Sequence, residues 1–152
     1  MPPALTLTSH SIANETMAKK SWAEKMHTKD PRNVVLEKSF AGVAEGATLH
    51  ISSPKAVATY LHEHTQRGQT QTIPQMRDQL AAQNGADATC PVSTAIFLRT
   101  VTEAAWDELA AGAEVDNIAP FWRVIEPGSV LAKKLRADSD WIASQRDLEA
   151  GD

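Results

Sequence analysis

Between Cys90-Pro91 and Gly112 runs the longest helical pattern in the chain, and it dictates most of what the rest can be. Val92, Ile96, Phe97, Val101, Ala105 and Leu109 recur at helical spacing and form a wide apolar stripe. Proline is tolerated in a first helical turn, where its missing N–H has no partner anyway, and glycine stops a helix. So broad a stripe predicts a central buried helix that other elements must cover. With 152 residues and 42% hydrophobic side chains, the chain is long enough to bury one such core without disulfide or metal support. Residues 1–152 read as a single domain.

The flanking segments supply the cover. Residues 1–14 are rich in Thr, Ser and Pro and aperiodic, which predicts a loose arm. Glu15 to Lys29 predicts an N-terminal helix with Met17, Trp22 and Met26 at helical intervals, stopped by Asp30-Pro31. Lys19, Lys20, Lys25 and Lys29 make it the most basic helix, and a solvated lysine face is the plain reading of that run. Val34-Val35-Leu36 and Thr48–Ile51 predict two short strands, with bends at Phe40-Ala41-Gly42 and Glu45-Gly46. Ser53-Pro54 starts a helix that turns Val57, Tyr60, Leu61 and His64 inward. Thr72 with Pro74 starts the next, which carries Met76 and Leu80 and stops at Asn84-Gly85. Arg99 and Glu103, four apart, predict an ion pair on the wet side of the long helix. Phe121–Ile125 predicts a third strand, and the residues around Leu131 and Ile142 two further short helices. No repeat, low-complexity block or linker divides the chain.

Charge and composition exclude more than they assign. Asp and Glu outnumber Lys and Arg by 19 to 15, for a net charge of −4. That balance runs against a general nucleic-acid binder, which draws most of its affinity from neutralising phosphates, though a local basic patch remains compatible with it. The lone Cys90 excludes an internal disulfide and a cysteine-rich zinc site. No signal-peptide pattern opens the chain and no apolar run approaches the ~20 residues that span a bilayer. The expectation is a cytoplasmic protein with no membrane partner.

Catalytic patterns are sparse. His62-Glu63-His64 looks like a metal motif, but i, i+2 side chains on a helix diverge, so no metal or cofactor is expected. Cys90 precedes a helix N-terminus, where the dipole favours thiolate, yet no histidine lies near it in sequence. No nucleophile elbow or phosphate-cradling glycine loop is present.

One stretch carries a resemblance. Pro120-Phe121-Trp122-Arg123-Val124 follows, in order, a helix from Pro54, the segment Arg67–Ile73, a short helix ending Leu80-Ala81-Ala82, and the long helix. Gln145–Gly151 closes the series. From about Ser53 onward this order resembles the DNA-binding domain of the alkylguanine-DNA alkyltransferases and the alkyltransferase-like proteins. It leaves residues 1–52 as an N-terminal arm, helix and two strands outside the likeness. The resemblance implies an α+β fold: a helix-rich, winged-helix-like region over 53–152, with a small sheet and the N-terminal helix. The family acceptor motif is Pro-Cys-His-Arg-Val, and here Phe121 and Trp122 stand where the thiol and imidazole would react, so alkyl transfer is not expected. The base-rotating tyrosine falls on Ile73, and the intercalating arginine near Thr94, with Arg99 about five residues later. Glu149 matches the family's late glutamate after a one-residue shift.

The likeness implies a non-catalytic protein that binds nucleic acid or a small ligand in a cleft beside Phe121 and Trp122, through Ile73, Thr94, Arg99, Phe121, Trp122 and Arg123. A protein–protein interaction or scaffold module that keeps only the fold is the competing reading, and an enzyme using Cys90 a third. Residues 120–125 on a helix, or away from the long helix, would break the likeness.

Overall fold

A computed structural model describes residues 20–151. Among these residues lie five α-helices and one three-stranded sheet, an α+β arrangement dominated by helix. Helix α1 is one short turn, Trp22–Lys25. Ser21 and Glu24 close a capping box on it, the side chain of each bonding the other's backbone N–H. The expected helix is therefore shorter at its C-terminal end, and its part before residue 20 lies outside the described residues.

Strand β1 (Arg32–Val35) runs antiparallel to β2 (Thr48–Ile51), with Val34 opposite Leu49. At the tip of their connection Ala41 and Gly42 both take positive φ, 50° and 83°. Phe40 and Val43 exchange backbone hydrogen bonds across them, the geometry of a mirror-image hairpin turn. The third strand is Ala88–Thr89 (β3), two residues long and parallel to β2 on the side away from β1.

Helix α2 (Pro54–His64) begins at Ser53, whose hydroxyl accepts from Ala56 N–H. Helix α3 (Ile73–Gln83) begins with a Thr72–Gln75 capping box and Pro74 in its first turn. Helix α4 (Pro91–Ala110) is the long central helix, and α5 (Ser139–Ala150) closes the chain, capped by Asp138. The core joins Val57, Tyr60 and Leu61 of α2, Met76 and Leu80 of α3, and Leu98, Val101 and Ala105 of α4. Burying one such Leu or Val side chain is worth about 1.5–3 kcal/mol, so this cluster is the main stabilising term.

Several expectations fail here for stated reasons. Val92 and Ile96 are 53% and 59% exposed. They form a row one residue before Phe97 and Val101, and a step of about 100° turns that row outward. Leu148 is also exposed, because the inward face of α5 presents Glu149 beside Ile142. Arg99 and Glu103 do not pair: Glu103 is buried and bonds Arg136 Nε at 2.9 Å instead. His64 is exposed, its ring against that of Tyr60 at 5.3 Å. No helix among the described residues is long and apolar enough to cross a membrane.

Candidate functional site

Residues 120–125 form no strand. Phe121–Arg123 make one turn of 3-10 helix after Pro120, and Val124 and Ile125 N–H both return to the Phe121 carbonyl at 3.1 and 3.0 Å. The β-branched and aromatic run that suggests a strand is here governed by tertiary packing. Phe121 stacks on Trp141 at 5.6 Å between ring centroids, while Trp122 meets both rings edge-on at 5.4 and 5.7 Å. Trp141 in turn abuts Trp106 of α4 at 5.1 Å, so the turn lies against the long helix through an aromatic cluster. Phe121 and Trp122 are buried and fill the core.

The backbone of the turn is held from α5 and from the loop before α3. Arg146 donates Nε to the Trp122 carbonyl at 2.7 Å and Nη2 to the Ile125 carbonyl at 2.9 Å. Arg123 makes a bidentate pair with Glu149, Nε to Oε1 at 3.0 Å and Nη2 to Oε2 at 2.9 Å. Its Nη1 reaches Thr65, the C-cap of α2, and Gln71 N–H donates to the Arg123 carbonyl at 2.8 Å. Burial pushes the Glu149 carboxyl up. The Arg123 side chain more than offsets that, helped by the Trp122 indole and Gly68 N–H, and holds it below the ordinary carboxylate range. The Trp122 Nε1–H lies outside hydrogen-bond geometry and is otherwise unpartnered. Gly68 sits at φ +83°, and a Cβ there would come within 3.1 Å of the Glu149 carbonyl oxygen, so a side chain would be both strained and crowded against α5.

Beside this latched turn lies a cleft of about 320 Å³ between the start of α3 and residues 124–129, lined by Gln71, Ile73, Gln75, Val124, Glu126 and Arg146 among others. Ile73, Pro74 and Val124 give it apolar walls; Gln71, Thr72, Gln75 and Glu126 give it polar groups. Gln71 is itself fixed, its Nε2 on the His64 carbonyl at 2.7 Å and its Oε1 receiving the Tyr60 hydroxyl at 2.6 Å. Burial pushes the Arg146 guanidinium down and Glu126 partly restores it. A second recess of about 130 Å³, lined by His62, Asp116, Pro120, Trp122 and Arg123, is too small for more than a few atoms.

The structure thus divides the residues singled out from sequence. Ile73 lines the cleft, with Val124 as the facing wall in place of the two aromatic rings. Arg123 is committed to Glu149. Thr94 is fully buried, its hydroxyl on the Cys90 carbonyl at 2.6 Å, and offers nothing to a partner. Arg99 lines a different cleft, with Trp22. Cys90 is 5% exposed at the N-cap of α4, its sulfur accepting from Ser93 N–H at 3.5 Å, which removes the enzyme reading built on it. No group of three or more His, Cys, Asp or Glu side chains among the described residues is arranged to hold a metal. Sequence reasoning missed Gln71, Glu126 and Arg146 as site residues. Arg146 and Glu149 sit three apart on one helix face, the spacing from which a shared task was legible.

No family model matches the chain, and no curated protein or solved structure matches it.

Proposed function

We propose that this chain is a non-catalytic binding protein. Its cleft between residues 70–75 and 124–129 receives a planar group the size of a nucleobase, free or within a nucleic acid. The observation that carries the reading is the cleft itself. It has apolar walls and fixed amides, sits beside a turn locked by Arg123 and Arg146, and contains no thiol or imidazole. Pockets of roughly 300 Å³ and above, mostly apolar with a few placed polar groups, are the usual form of small-molecule sites. The 121–123 turn packs against α4, as the likeness requires. The 3-10 helix at Phe121–Arg123 meets the condition that breaks the alkyltransferase likeness, so the proposal rests on the cleft and not on kinship.

The test is binding of 2-aminopurine nucleoside, alone and within a duplex, followed by anisotropy. Wild type should bind one or both, and Ile73→Trp, which fills the cleft, should weaken binding about tenfold or more, roughly 1.4 kcal/mol. Incubation with an alkylated-guanine oligonucleotide should leave the mass of the chain unchanged. Absence of binding by wild type at low salt removes the proposal. The protein-interaction reading draws instead on Val92 and Ile96, the exposed row of α4. It predicts a partner lost in Ile96→Asp with little dependence on salt, in contrast to the steep slope of phosphate binding.

A further inference from the structure

The N-terminal helix and the central helix together flank a further cleft, away from residues 124–129. It measures about 340 Å³, between Trp22–Lys29 and the Ile96–Thr100 turn of α4. Its charged lining consists of Lys25, Lys29 and Arg99, with no carboxylate. Lys25 Nζ lies 4.2 Å from the Trp22 ring centroid, and the Arg99 guanidinium carbon 5.6 Å from it. One indole therefore holds two cations in the same small space.

What sets the cleft apart is that three cations, one with a buried unpartnered N–H, gather in one cleft beside the Trp22 ring. The chain is net −4; Arg67, Arg123 and Arg136 are matched to carboxylates and Arg146 to two carbonyls, while other surface cations such as Lys38, Lys133 and Lys134 are unpaired among the described residues but do not converge on one ring. Lys25, Lys29 and Arg99 have no ion pair among the described residues, and Arg99 Nε is buried without a hydrogen-bond partner. The one acid on the short helix, Glu24, accepts from its own N-cap, Ser21 N–H, at 2.9 Å. Asp30 and Glu63 line the neighbouring cavity, and Lys29 borders both. The ring offers each cation only about 0.5–1 kcal/mol at an exposed site. An anion in the cleft would be attracted by all three cations and would supply the acceptor that Arg99 Nε lacks.

We propose that this cleft binds a phosphate group of a nucleotide, either free or in a strand. Phosphate suits the site because it carries charge and several acceptor oxygens at once, to which arginine donates in a planar fork and lysine as a point charge. This proposal does not rest on the cleft beside residues 124–129: Ile73→Trp should leave it intact.

The experiment compares wild type with the triple variant Lys25→Gln/Lys29→Gln/Arg99→Gln. A control of equal charge change, Lys38→Gln/Lys133→Gln/Lys134→Gln, accompanies it. Inorganic pyrophosphate is titrated by calorimetry and an end-labelled single-stranded oligonucleotide by anisotropy, both at low salt. Wild type and the control should bind, and the triple variant should bind about tenfold or more weakly. Its oligonucleotide salt slope should be shallower by about 0.7 for each phosphate it no longer neutralises. Loss of pyrophosphate binding alone assigns the site to a free nucleotide, and loss of oligonucleotide binding alone to a strand. If the triple variant does not fold, Lys25→Gln/Lys29→Gln gives the same comparison, and Arg99→Lys should retain most binding. No binding of either probe by wild type, or equal binding by the triple variant, overturns the proposal.

Discussion

Arg123 and Glu149 lie 26 positions apart in sequence yet meet through two parallel hydrogen bonds of 3.0 and 2.9 Å, both side chains mostly out of water. Breaking a buried pair from one side strands a charge, which typically costs about 3–5 kcal/mol, whereas removing both partners costs much less. Glu149→Ala and Arg123→Ala should each destabilise by that order, and the double variant by less than the sum. Urea unfolding of the four proteins checks it; additive losses would show that the two residues act separately.

Acid should weaken the fold in two steps. His50 is buried with Nδ1 on Asn33 Oδ1 at 2.8 Å, and burial pushes its pKa down. A depressed folded value means that its contribution is full above the unfolded value, about 6.5, and is lost as pH falls towards the folded one. Glu149, also held low, contributes fully above about 4.3 and loses that contribution as pH falls through its folded value. Stability measured against pH should lose its upper limb in His50→Gln and its lower limb in Glu149→Gln.

On α4, Arg136 bridges Glu103, at 2.9 Å, and Asp107, at 2.8 Å. The two acids differ in burial: Glu103 is 2% exposed and the Asp107 side chain about half exposed. Arg136→Ala leaves a buried carboxylate without its main donor and should cost about 1–3 kcal/mol. Asp107→Ala breaks only a solvent-screened pair and should change stability by less than about 1 kcal/mol. Thermal melts of the two variants should separate them clearly.

Cys90 should resist thiol reagents in the folded protein and react when the chain unfolds, since its sulfur is enclosed at the start of α4. Labelling rates measured against urea concentration should track global unfolding. Fast labelling in the absence of denaturant would contradict the enclosure.

Local punctuation was readable because its cause is local. Ser53-Pro54, Thr72 with Pro74, Asn84-Gly85 and Gly112 mark helix ends through hydrogen-bonding and backbone preferences confined to a few residues. What escaped was decided at a distance. A run such as Phe121–Ile125 has strand composition, but Arg146, more than twenty positions later, takes two of its carbonyls and fixes a turn. Glu103 looked like a partner for Arg99 by helical spacing, and only the fold brings Arg136 to it from 33 positions away. The cleft beside Val124 was legible to the extent that Ile73 was named. Its other walls come from a turn geometry that no short-range pattern encodes. β3 is too short to carry any alternation.

Because Arg146 and Glu149 fasten the aromatic turn from α5, a nascent polypeptide cannot buckle its centre until residues 139–150 have left the ribosome. Until then Trp106, Phe121 and Trp122 wait without Trp141, and a chain stopped before α5 would lack the ring that joins them.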